Sequence, residues 1–185
     1  RIWLTRKKQN TIHGEPDVTE GWLHPESAQT LLAETTRQQL IQFIRQSTAL
    51  PASLFERFWL IPIHRFAELA QLFPASENHH HSHAGGLLDH SLEAACYAAR
   101  LRQSYLFPPD AAPEDQAAQS ERWTTVIIYA ALLHDLGKLI TDIEVENFSG
   151  KRWFPWHGPL TQPYRFRYLP QRDYLRHPAA AVLLL

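Results

Sequence analysis

Apolar residues recur at helical spacing over most of this chain and at strand spacing in only one short region. From Pro25, where a first helical turn tolerates proline, Leu31, Leu32, Leu40, Ile41, Phe43 and Ile44 follow the helical period. A second helix is predicted from about Pro51 to Phe73, with Phe55, Phe58, Trp59, Ile63, Phe66, Leu69 and Leu72 on one broad face. Pro62 lacks an N–H and predicts a kink or break inside it. Residues 74–86 read as a loop. A third helix opens at Gly86 or Leu87 and runs to about Tyr105, with Leu88, Leu92, Ala95, Ala99 and Arg102 in one stripe. The prolines of Phe107–Pro113 mark a turn. A long helix then runs from Glu114 to about Lys138. Its second half, Val126 to Leu133, is apolar on every side and reads as a buried central helix.

After Ile140 the period changes. Ile143, Val145 and Phe148 alternate with polar residues, Ser149-Gly150 supplies a turn, and Tyr164-Arg165-Phe166-Arg167-Tyr168 alternates again. These are two strands of a small antiparallel flap spanning about 143–168, separated by an aromatic loop from Trp153 to Pro159. Arg176-His177-Pro178 leads into a last helix. The fold class is therefore mainly α, a helical bundle with a small antiparallel β flap. Residues 1–24 form an extended arm and residues 25–185 the helical domain. The chain ends in Ala179–Leu185, an apolar segment without a cap, so the natural protein is expected to continue past Leu185.

Composition narrows the class. With 185 residues, 44% of them hydrophobic, the chain can bury a core. Eighteen Lys and Arg against 19 Asp and Glu leave a net charge of −1, which argues mildly against a globally basic nucleic-acid binder but leaves room for a local patch. The single cysteine, Cys96, allows no internal disulfide and fits a reducing cytoplasm. No uninterrupted apolar run approaches the ~20 residues of a membrane span.

Candidate chemistry concentrates in histidines. His79, His80, His81 and His83 crowd the loop that leads through Gly85-Gly86 to His90, and 44 residues later comes His134-Asp135 inside an apolar run. Imidazole and carboxylate hold divalent metals at neutral pH. Adjacent helical residues point about 100° apart, so His134 and Asp135 share one ion only near a helix end or where the site sits at their shared edge, and Gly137 fits such an end or close packing. A helix C-terminus in which His134 and Lys138 interact with the dipole explains the same residues. His80 or His81 is expected to reach the metal or a substrate phosphate, with the other loop histidines solvated. Lys138 is a candidate to neutralise phosphate charge or a plain helix-end lysine. Asp142 follows Asp135 by two helical turns and faces the same side if the helix persists, or caps a turn with Thr141.

The run Leu132-Leu133-His134-Asp135-Leu136-Gly137-Lys138 resembles the defining motif of the HD superfamily of metal-dependent phosphohydrolases, and His90-Ser91-Leu92-Glu93-Ala94-Ala95 resembles the segment that opens with that superfamily's first ligand. The stretch from Leu72 to His90, with its His-His and Gly-Gly-Leu-Leu-Asp-His elements, is similar to HD-type exoribonucleases and more so to MobH-type conjugative relaxases. That likeness continues through Thr141–Val145 and the Trp153–Pro159 loop and covers roughly residues 20–185. It implies that His90, His134 and Asp135 bind a divalent metal (Mn, Mg or Fe, as one or two ions). His177 resembles the later histidine used for a second ion, although a histidine at a helix start explains it equally. The family's final Asp ligand lies on a later helix. Asp173, the last carboxylate, precedes His177 in the wrong order, so that ligand is expected beyond Leu185, the alternatives being that Asp142 substitutes or that the site is incomplete.

The resemblance implies a relaxase or nuclease that nicks DNA at a transfer origin, working with other conjugation proteins in the cytoplasm. Metal-activated water or a tyrosine hydroxyl would attack, and none of the chain's tyrosines is marked by its local sequence as the nucleophile. A phosphohydrolase acting on nucleotides or RNA uses the same metal site. A non-catalytic module that docks DNA or a partner is the third reading. It would use Arg165, Arg167, Arg172 and Arg176, set among Tyr164, Phe166 and Tyr168, a mix that grips phosphates and stacks on bases or simply forms a solvated strand face.

Overall fold

The structure, a computed structural model, describes Leu4 and residues 19–170. The segment expected to form a last helix, with Arg172, Arg176 and His177, lies outside the described residues, as do the C-terminal run and most of the residues expected to form an N-terminal arm. The chain divides into two compact units, one spanning Ala28–Asp135 and the other gathering the segments on either side.

The first unit is helical. α1 (Ala28–Leu32) and α2 (Thr35–Ser47) fall within the first predicted helix, interrupted at Ala33-Glu34. α3 (Ala52–Phe55) runs through a π-helical turn (Glu56–Leu60) into α4 (Ile61–Ala70), so the irregularity expected at Pro62 takes the form of a widened turn just before it. Pro62 has no N–H to offer the Phe58 carbonyl four residues back. The Tyr129 hydroxyl from another helix donates to that carbonyl instead. α5 (Gly86–Gln103) starts where the sequence predicts and buries Leu88, Leu92, Ala95, Ala99 and Arg102 as one stripe. It packs against α2 and α6 (Pro113–Leu133). Trp59, Phe73, Ile44, Ile63, Leu87, Leu92, Ile128 and Leu132 are fully buried at the centre.

α6 corrects one expectation. Only Thr124, Ile128 and Leu132, spaced by four, are buried on it, and Val126 is 58% exposed. An apolar residue on the far side of a helix finds no neighbour unless a second element covers it, and periodicity does not reveal whether one does. The helix also stops five residues short of Lys138, giving way to a turn across 134–137. Pro113–Thr141 nevertheless contains an 18-residue window with a mean hydropathy of 1.2, long and apolar enough by length and composition alone to cross a membrane. A count of uninterrupted apolar residues overlooks such a stretch because polar residues are scattered through it. It carries His134, Asp135 and Lys138, which are costly in hydrocarbon.

The second unit holds α7 (Lys138–Thr141) and a three-stranded antiparallel sheet in the order β2-β1-β3, with β1 at Ile143–Asn147, β2 at Arg152–Trp153 and β3 at Tyr164–Tyr168. β2 is a strand the sequence did not announce. Val145 sits opposite both Trp153 and Phe166. Alternation puts Ile143, Val145, Trp153, Tyr164 and Phe166 on the buried face. Leu4 and Leu23 each make a bridge to β3, at Phe166 and Tyr164.

Candidate metal centre

His90 stands in the second turn of α5, and His134 and Asp135 follow directly on the last residue of α6. α6 and α5 pack together, which brings residues 44 apart in sequence to one point. His90 Nε2 lies 3.3 Å from His134 Nε2 and 3.3 Å from Asp135 Oδ2, and His134 Nε2 lies 3.4 Å from the same carboxylate oxygen. Bonds of roughly 2.1 Å to a shared ion set neighbouring ligand atoms about 3.0–3.4 Å apart in octahedral or tetrahedral geometry. The three side chains therefore fit a divalent cation. The helix ending at Leu133 is what allows both members of the dipeptide to face inward, as the 100° offset requires.

Protonation is set by a neighbour. His134 Nδ1 donates to the Ala131 carbonyl at 2.7 Å, which leaves its Nε2 with a lone pair directed at the cluster. Asp135 is buried, His90 half-buried and His134 exposed, so the site opens to solvent along the His134 side.

The histidine loop packs against this centre. The His81 ring lies 5.3 Å from the His90 ring, and its Nε2 is 3.0 Å from a Glu93 carboxylate oxygen one turn further along α5. His80 is exposed, its carbonyl accepting from the Ser76 hydroxyl, and it stands apart from the three-residue group. Gly86 explains why the loop needs small residues. A Cβ there would meet the His81 carbonyl oxygen at 2.0 Å, so only glycine lets the loop backbone lie against the start of α5.

Arg37 holds the loop and α5 together. Its guanidinium is buried and donates to the carbonyls of Leu31 and Gly85 and to Asp89 Oδ1, the last at 2.7 Å. The other Asp89 oxygen bonds His83 at 2.8 Å. Burial pushes the Asp89 carboxyl up, but the hydrogen bonds and charges of Arg37 and His83 outweigh it and hold the group below its ordinary range. Arg37, Asp89 and Glu93 are site-supporting residues that the sequence reading missed. Asp89 and Glu93 sit inside the motifs that carry His90, whereas Arg37 lies among polar helix positions and gives no local sign.

The remaining candidates fall in the second unit. Lys138 opens α7, and Asp142 caps its end, buried and accepting from the Thr141 hydroxyl at 2.8 Å, which matches the turn-capping alternative. Arg165 and Arg167 stand opposite Glu146 and Glu144 across β1 and β3 and pair with them at 2.6 and 2.8 Å. Phosphate binding there would have to compete with those carboxylates. Two side chains with nucleophilic potential are quiet. Burial raises the Cys96 thiol to about 11, and it likewise raises the Tyr129 phenol, whose proton is given to Phe58.

A family model described as "Putative helicase" matches residues 21–183. No curated protein matches the chain.

Proposed function

The chain belongs to the TraI_2 family, and we propose that it is a metal-dependent phosphodiesterase domain of the HD type that nicks one DNA strand at a transfer origin during conjugative transfer of a plasmid or integrative element. The single observation that carries this reading is the convergence of His90, His134 and Asp135 with ligand atoms all within 4.8 Å of one another. The family's description, "Putative helicase", points in general to a protein that acts on nucleic acid.

His90 Nε2, His134 Nε2 and an Asp135 carboxylate oxygen would hold the ion; of Mn, Mg and Fe, the two imidazoles favour Fe or Mn over the oxygen-preferring Mg. A bound ion supplies Lewis acidity towards a phosphoryl oxygen and towards water. The Ala131 carbonyl keeps the His134 proton on Nδ1, and His81, tied to Glu93, packs against the His90 ring. Lys138, Asp142 and His177 are retained as candidates for phosphate neutralisation, proton transfer and a second ion. The reducing cytoplasm, where transfer begins, suits a chain with one buried free thiol.

Elemental analysis of the purified protein should find about one divalent ion per chain, lost in a His134→Ala/Asp135→Ala double variant. Supercoiled transfer-origin plasmid incubated with Mn²⁺ should give relaxed circles with the wild type and none with the double variant. Release of inorganic phosphate from nucleotides with the plasmid intact would replace this reading by a nucleotide phosphohydrolase.

A further inference from the structure

Between β2 and β3 the chain folds into a tight turn that roots some residues inward and presents others to solvent. Trp153, Pro155 and Leu160 are buried, and the Trp153 indole N–H donates to the Gly158 carbonyl at 2.9 Å. Pro155–His157 forms a single 3₁₀ turn, closed by bonds from His157 N–H to the Phe154 carbonyl and from Gly158 N–H to the Pro155 carbonyl. The residues between these roots are held outward. Phe154 and Trp156 stack nearly parallel, with ring centroids 4.5 Å apart and planes 8° from coincidence. The Arg152 guanidinium lies over the Phe154 ring at 4.6 Å. One face of Phe154 thus meets a cation and the other meets an indole.

This ladder ends in open space. Trp156 is 55% exposed, with Phe154 stacked against it and the His157 ring near-perpendicular to it at 6.1 Å, so much of the indole is open to solvent. Lys151 and Arg152 are exposed, and among the described residues neither pairs with a carboxylate. Arg165 and Arg167 on the same sheet differ in being engaged by Glu146 and Glu144; Arg152 also stands opposite Glu146, across β1 and β2, but that carboxylate pairs with Arg165. An exposed tryptophan face, pre-stacked on a second ring and flanked by unpaired cations, is the chemistry that holds single-stranded nucleic acid. Any unpaired base offers a π-face to it, and the backbone phosphates meet the cations.

We infer that Lys151, Arg152, Phe154 and Trp156 form a binding platform for single-stranded nucleic acid, on which an unpaired base stacks against Trp156 while neighbouring phosphates meet Arg152 and Lys151. The platform stands on the sheet unit alone and does not depend on the metal reading. Here the ring offers a flat face with charge beside it.

The test is fluorescence anisotropy of the full chain with labelled oligothymidylate, oligouridylate, an abasic strand of equal length and a duplex. Wild type should bind the two base-bearing single strands more tightly than the abasic strand or the duplex. Trp156→Ala should weaken binding roughly 5- to 100-fold, the range that losing one base–aromatic stack gives. Trp156→Phe should recover most of that loss. Arg152→Gln should lower the slope of log affinity against log salt by about 0.7. Affinity unchanged in Trp156→Ala, wild type holding the abasic strand as tightly as oligothymidylate, or no binding to any strand would each overturn the inference. Should Trp156→Ala disturb the fold by circular dichroism, the abasic comparison on wild type decides alone.

Discussion

Arg37 illustrates how much of a site can rest on a residue with no motif of its own. Its buried guanidinium satisfies two carbonyls and the Asp89 carboxylate, next door to His90. Replacing it with methionine keeps the stem but leaves Asp89 partly buried without its partner. Arg37→Met should therefore cost about 2–3 kcal/mol in urea unfolding. The pH dependence has a definite sign. Because the folded Asp89 pKa lies below its ordinary value near 3.8, the pair's contribution is present above that value and is lost as pH falls through the folded one. Metal-free Arg37→Met should accordingly lose less stability between neutral pH and pH ~3 than wild type does. The meeting of His90, His134 and Asp135 was expected from motifs that resemble those of the HD superfamily, and the structure brings the three side chains together. Arg37 was not legible, since its role arises only when α2, α5 and the loop meet.

Among the elements, those whose pattern involves one partner face were read well. α5 was legible because its buried stripe, Leu88 to Arg102, is continuous and its start is marked by Gly85-Gly86. β1 and β3 were legible because each has one buried face, and strict alternation follows from that. β2 has two residues and no period to detect, and α6 showed apolar residues on a side that the described structure leaves exposed. The π-helical turn before Pro62 was half legible. Proline predicts a lost hydrogen bond, but not that a tyrosine from a distant helix would take up the freed carbonyl. Tyr129→Phe removes that donor while keeping the ring, which packs 4.7 Å from Trp59. It should destabilise the helical unit by about 1–2 kcal/mol, measured by thermal or urea unfolding, with metal content unchanged.

For the molecule as a whole, the candidate site joins the start of α5 to the exit of α6, the sequence-distant ends of two consecutive helices that already pack together. His90 anchors one end of α5, and His134 with Asp135 the exit of α6, so an ion held by all three cross-links them in the native state and is released on unfolding. Such an ion stabilises by RT ln(1 + [M]/Kd), about 2.7 kcal/mol at a hundredfold excess over Kd. For a unit the size of Ala28–Asp135 that raises the melting temperature on the order of 10 °C. Differential scanning calorimetry of metal-stripped protein should show this shift on adding Mn²⁺, its reversal by EDTA, and no shift in His134→Ala. Arg37→Met should start lower yet still respond to Mn²⁺, because it supports the loop without supplying a ligand. A wild-type midpoint indifferent to Mn²⁺, Mg²⁺ and Fe²⁺ alike would mean that the three side chains meet for packing and hydrogen bonding only, and the phosphodiesterase reading would fall with the ion.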